Sequence, residues 1–154
     1  MGLRDRFNEA MKDAMRSKAV KRLSTVRLML AAVKDRDIAA RTEASREGIS
    51  DEEILGLLAK MIKQREESAA TYESGGRPEL AAGEREEITI IREFMPRQLS
   101  AEETRAAVQE VIAATGAASL KDMGKVMAAL KERHAGSMDF AKAGATVKEL
   151  LATK

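Results

Sequence analysis

The chain has 154 residues, 44% of them apolar and 34% charged, with a formal net charge of +2. That composition belongs to a soluble globular chain long enough to bury a core, and not to a disordered one. The absence of cysteine and the single histidine, His134, exclude disulfides, thiol nucleophiles, thiolate zinc sites, iron–sulfur clusters and His-rich metal sites. No apolar run approaches the length of a membrane span. The opening MGLRDRFNEAMKDAM lacks an apolar signal core, so a cytoplasmic setting is expected.

Charge is uneven along the chain. Residues 1–41 hold eleven Lys/Arg and five Asp/Glu, a net of +6; residues 42–95 hold seven and thirteen, a net of −6. Residues 96–154 hold nine and seven, a net of +2. Either the first two regions pack together and complement each other, or the first leaves a basic face open to a polyanion.

Good helix formers dominate throughout, and no stretch alternates long enough for a strand. A first helix is expected over Leu3–Arg16, with Leu3, Phe7, Ala10, Met11, Ala14 and Met15 on one stripe. A second runs from Val20 to Thr42 along a seam of Val20, Leu23, Val26, Leu30, Val33 and Asp37, until Glu47-Gly48-Ile49 breaks it. Ser50 with Glu53 is a capping box that opens a third, with Ile54, Leu57, Leu58, Met61, Ile62, Ala69 and Tyr72 on its apolar stripe. Gly75-Gly76 ends it, and Pro78 suits the first turn of a fourth carrying Leu80, Ala81, Ile88, Ile91 and Phe94.

Pro96 cannot continue a helical ladder and marks the clearest boundary. Ser100 with Glu103 is a second capping box and opens a fifth helix over Val108, Val111 and Ile112, which Gly116 closes. Ser119 and Asp122 begin a sixth with Met123, Val126, Met127 and Leu130, ending at His134-Ala135-Gly136. Asp139 caps a seventh with Val147, Leu150 and Leu151. The expected class is all-α: an N-terminal domain of about four helices over 1–95, then a small three-helix domain over 96–154.

The carboxylate pairs Glu52-Glu53, Glu66-Glu67, Glu86-Glu87 and Glu102-Glu103 read as solvated or dipole-favouring groups. No phosphate loop or dinucleotide fingerprint occurs. No catalytic residue, cofactor or metal is therefore assigned. Gly124, inside a helical pattern, reads chiefly as a close helix contact, with backbone access for a ligand as the alternative. The methionines read as core filling, with an adaptable docking groove as the alternative. His134 reads as a helix C-cap. For nucleic acid, the candidate cluster is Lys121, Lys125, Lys131, Arg133, His134, Lys142 and Lys148. Lysine and arginine neutralise phosphates without reading sequence, so binding here is by shape and backbone.

At Phe94-Met-Pro-Arg-Gln-Leu-Ser100 and Gly116-Ala-Ala-Ser-Leu-Lys-Asp-Met-Gly-Lys-Val-Met127 the sequence resembles the YqeY-like family. Arg27-Leu-Met-Leu-Ala-Ala-Val33, Lys63-Gln-Arg-Glu-Glu-Ser68 and Gly76-Arg-Pro-Glu-Leu-Ala81 with Glu84 extend the likeness over essentially the whole chain. The resemblance implies a GatB/YqeY-type C-terminal helical domain, related to the tail of the B subunit of glutamine-dependent Asp/Glu-tRNA amidotransferase. The family label is carbon–nitrogen ligase with glutamine as amido-N-donor. That label rests on the shared tail, because the motifs for a glutaminase nucleophile and for carboxylate activation are not in the sequence. The expected function is therefore a non-catalytic tRNA-binding module with Lys121, Lys125, Lys131, Arg133 and Lys142 as phosphate contacts. The alternative is docking on an amidotransferase or another tRNA-handling enzyme through Met-rich helices. Where the family commonly has Arg-Ala-Asp-Gly after the glycine at 136, this chain has Ser137-Met138-Asp139-Phe140. A basic residue is lost there, which weakens any RNA contact at 137; Asp139 remains as a cap, and Phe140 reads as core, with a stacking ring for a base as the alternative.

Overall fold

The structure, a computed structural model, describes residues 2–41 and 48–153. Among these residues seven α-helices and one 3-10 turn form, and no strand, so the chain is all-α. It divides into two compact units, Met1–Met95 and Pro96–Lys154. Among the described residues no helix is long and apolar enough to cross a membrane.

The first unit holds α1 (Leu3–Ser17), α2 (Val20–Ala40), α3 (Asp51–Ser74) and α4 (Pro78–Arg92). Helix α1 buries Leu3, Phe7, Ala10 and Ala14 at helical spacing, while Met15 of the expected stripe is 52% exposed. Helix α2 departs further from its expected seam. It buries Thr25, Val26, Met29 and Val33 and leaves Val20 77% exposed, with Leu23 and Leu30 half-buried. A 3.5-residue seam drifts off one face of a straight 3.6-residue helix, and α1, α3 and α4 all lie toward the Met29 side. Asp37 does face inward, but to an ion pair. Thr42 and Glu47 lie outside the described residues.

The return from α2 to α3 is held by that carboxylate. Asp37 accepts from both terminal nitrogens of Arg4, at 2.6 and 2.7 Å, and from the Ile49 amide at 2.8 Å. Arg4 Nη2 also donates to the Ile49 carbonyl at 2.8 Å. Gly48 has φ +84°, and a Cβ there would stand 2.7 Å from Asp37 Oδ1, so glycine is required on both counts. Ser50 caps α3 by accepting from the Glu53 amide, and its hydroxyl donates to the Glu53 carboxylate.

Phe7 of α1 meets Phe94 edge-on at 5.1 Å, and the guanidiniums of Arg6 and Arg22 lie over the Phe94 ring at 5.5 and 5.8 Å. Lys21 and Arg65 share the Glu87 carboxylate, and Arg22 pairs with Glu93. Lys21–Glu87 and Arg22–Glu93 join the basic region to the acidic one, so part of the charge asymmetry is internal complementarity.

The second unit holds α5 (Ala101–Thr115), the 3-10 turn Leu120–Asp122, α6 (Met123–Arg133) and α7 (Phe140–Ala152). Each of the three α-helices packs on the other two around Val108, Val111, Ile112, Val126, Leu130, Val147 and Leu151. The capping box at Ser100 is complete: Glu103 N donates to Ser100 Oγ and Ser100 N to Glu103 Oε1. Gly116 closes α5 in the left-handed conformation, with φ 68°. The Leu99 amide and the Gln98 side chain donate to the Ser137 and Gly136 carbonyls, tying the segment before α5 to the α6–α7 connection. Asp139 caps α7 through the Ala141 and Lys142 amides. Phe140 packs on the core, as expected, and Met138 beside it is buried.

Candidate nucleic-acid interface

The candidate surface is built on α6 and the turn before it. The sixth helix begins at Met123, four residues later than Ser119, because Asp122 turns back to accept from the amides of Ala118 and Ser119 and shapes a 3-10 turn. Lys121 therefore precedes α6 and does not share one α-helical face with Lys125. Val126 and Leu130 are buried, and Met123, Met127 and Ala129 pack against the same core. Lys121, Gly124, Lys125, Ala128, Lys131 and Glu132 are exposed on the other side.

Gly124 does not serve a helix contact. A Cβ built there meets nothing within 4 Å. The packing role expected for it is overturned: among the described residues, no neighbouring element approaches that side of α6. Between Lys121 and Lys125 the backbone is bare, and a ligand can approach it more closely than any other residue would permit.

Helix α7 decides which other cations join the pair. Gly144 faces α6, its Cβ direction 3.8 Å from the Met127 methyl and 3.9 Å from that of Met123. Lys148 lies one turn further along the same flank, and α7 also packs on the 3-10 turn that holds Lys121. Lys142 precedes Gly144 by two residues, about 200° round the helix, and so points away from α6. It shares a stripe with Glu149, whose carboxylate meets Arg105 of α5 at 3.5 Å. Lys131 and Arg133 belong to the last turn of α6, about 9–12 Å along the axis from Lys125 and on opposite sides of it. Lys148, which is not among the five phosphate contacts expected from the sequence, is thus on the flank of α7 nearest α6 and the turn of Lys121, whereas Lys142 is on the far side of α7 and Lys131 and Arg133 are at the other end of α6. Gly144, the smallest side of α7, is the sequence signal that identifies the flank turned to α6.

The electrostatics of this unit leave cations over. The Glu103 carboxyl is held down at about 2, first by hydrogen bonding to Arg97 and then by the Ser100 amide. The amides of Ala118 and Ser119 lower the Asp122 carboxyl, and the charge of Lys125 lowers it a little further. Asp139 is tied to its cap and Glu149 to Arg105. Among the described residues Lys121, Lys125, Lys131, Arg133, Lys142 and Lys148 form no ion pair, and no cluster able to ligate a metal occurs.

The methionines are largely engaged in the cores. Met29, Met61 and Met138 are buried, Met11 and Met95 pack on the first core, and Met123 and Met127 pack on the second. Of the described ones, Met15 alone stands open.

The family model described as Yqey-like protein matches residues 4–151. No curated protein matches the chain.

Proposed function

The chain belongs to the Yqey-like family, and we propose that it is a non-catalytic tRNA-binding module whose second unit seats the phosphate backbone on α6. In this reading the carbon–nitrogen ligase chemistry that the resemblance implies is carried by a partner enzyme, and this chain handles the tRNA. One observation carries it: Lys121 and Lys125 stand on either side of an open glycine, with Lys148 on the adjoining flank and no ion pair among the described residues. The engagement of the methionines in the cores weighs against docking through Met-rich helices.

The test is Lys121→Ala with Lys125→Ala, titrated with bulk tRNA at two salt concentrations. Each phosphate that a removed lysine no longer neutralises lowers the salt slope by about 0.7–0.9 and weakens binding to all sequences alike. Lys148→Ala acts in the same direction, Lys142→Ala much less, and Gly124→Ala weakens binding while α6 stays folded. Unchanged affinity and slope in the double variant, with helicity intact, overturn the proposal.

A further inference from the structure

We propose that the outer face of α2 is a docking surface for an acidic amphipathic helix of a partner protein. Of the six large apolar side chains that stand exposed among the described residues, three are on this helix: Val20 at 77%, Leu28 at 45% and Ile38 at 56%. Val20, Arg27, Ala31, Lys34 and Ile38 fall within about 60° of one another round the helix, opposite the buried Val26, Met29 and Val33. At the start of the stripe the side chains of Val20, Leu23, Ser24, Arg27 and Leu28, all of α2, leave a shallow open depression between them.

The order of residues in the stripe selects the occupant. Val20, Arg27 and Lys34 follow one another at seven-residue steps, about 10 Å each along the axis, with Ala31 and Ile38 between and beyond. Among the described residues neither Arg27 nor Lys34 has an ion-pair partner, and the one carboxylate at the edge of the stripe is Asp35. A helix lying in a lipid surface presents a broad apolar face; here Arg27 and Lys34 stand about 20° and 40° from the line of Val20 and Ile38 and leave only a narrow apolar strip. A nucleic acid offers phosphates to Arg27 and Lys34 but nothing apolar to cover Val20 and Ile38. A second copy paired two-fold near Ala31 sets Arg27 of one chain against Lys34 of the other. The surface that meets all five residues is a helix with carboxylates and aliphatic side chains alternating at the same period, and Ala31 lets its backbone come close.

The experiment uses the full chain and a labelled three-heptad helical peptide with Glu and Leu at its interface positions, followed by anisotropy against a twin with Lys for Glu. The Glu peptide binds, at least about tenfold tighter than the Lys twin. Arg27→Glu with Lys34→Glu inverts that preference, and Ile38→Asp, at an exposed position, abolishes both without loss of helicity. Equal binding of the two peptides, or none of either, overturns the proposal. So does loss in these variants of binding to vesicles containing phosphatidylserine, of binding to bulk tRNA, or of a self-association seen by sedimentation, since each identifies another occupant.

Discussion

Replacing Asp37 by alanine should destabilise the first unit by about 2–3 kcal/mol. The carboxylate accepts three hydrogen bonds, two from Arg4 and one from the Ile49 amide. Hydrogen bonds to charged groups contribute about 1.5–3 kcal/mol each when sheltered. Arg4 is 37% exposed and Asp37 22%, so water replaces much of the ion pair and its share falls to about 1–2 kcal/mol. Ile49 is 6% exposed, and leaving its amide without an acceptor adds about 1 kcal/mol. A unit of this size loses roughly 10–20 °C in Tm for that change. Urea unfolding and calorimetry of the full chain measure it, with Asp35→Ala, at an exposed neighbour, as the control. In a double-mutant cycle Arg4→Ala and Asp37→Ala should couple by about 1–2 kcal/mol. Additive effects, or an Asp37→Ala variant within about 0.5 kcal/mol of the parent, would refute the clamp. The pH dependence has a definite sign. Hydrogen bonding from Arg4, then from the Ile49 amide, holds the Asp37 carboxyl below its ordinary value. Its contribution is therefore complete above about pH 4–5 and is lost as pH falls through the folded-state value. Asp37→Asn should flatten the acid limb of the stability curve below roughly pH 4.

In the second unit the Glu103 carboxyl, held at about 2 by Arg97 and the Ser100 amide, should titrate in that range by NMR. Its stabilisation is complete above about pH 4–5 and disappears toward pH 2, so Glu103→Gln should remove that acid dependence; an ordinary carboxylate value would contradict the double engagement. Lys18 ends α1 with φ 57°, a conformation that costs a side chain about 1 kcal/mol. Lys18→Gly should raise the Tm by a few degrees, and a fall would show that the lysine makes a stabilising contact. Residues 96–154 expressed alone should be helical by circular dichroism and melt cooperatively, because their core is built from their own helices. A disordered fragment would end the proposal that they form a domain.

Helix ends were legible because caps are local chemistry. Ser50, Gly75, Pro78, Ser100, Gly116 and Asp139 all stand at or beside the ends that the structure gives. The faces were less legible, because a face is chosen by neighbours. In α2 every apolar residue satisfies some periodic stripe, and the position of α1, α3 and α4 selects Met29 over Val20. Gly124 failed for a related reason: sequence registers that a side chain is missing, not whether anything fills the space. The Arg4–Asp37–Ile49 clamp joins residues far apart along the chain, and no local pattern announces it.

Regional net charge is a poor guide to where a protein is available to partners, and the two units illustrate why. The most basic stretch, residues 1–41, engages Arg4, Lys21 and Arg22 with Asp37, Glu87 and Glu93, and stacks Arg6 on Phe94. What it leaves at the surface of α2 is interleaved with Val20 and Ile38 and so favours an apolar, acidic partner over a bare polyanion. The second unit has a net charge of only +2; four of its seven carboxylates, at Glu103, Asp122, Asp139 and Glu149, are tied to amides and arginines, while Glu102, Glu110 and Glu132 are exposed. Lys121 and Lys125 are exposed on either side of Gly124 in sequence, and Lys148 is exposed on α7. A phosphate backbone needs cations that no carboxylate already holds, and it is on that criterion that the proposed tRNA contact is assigned to the nearly neutral unit.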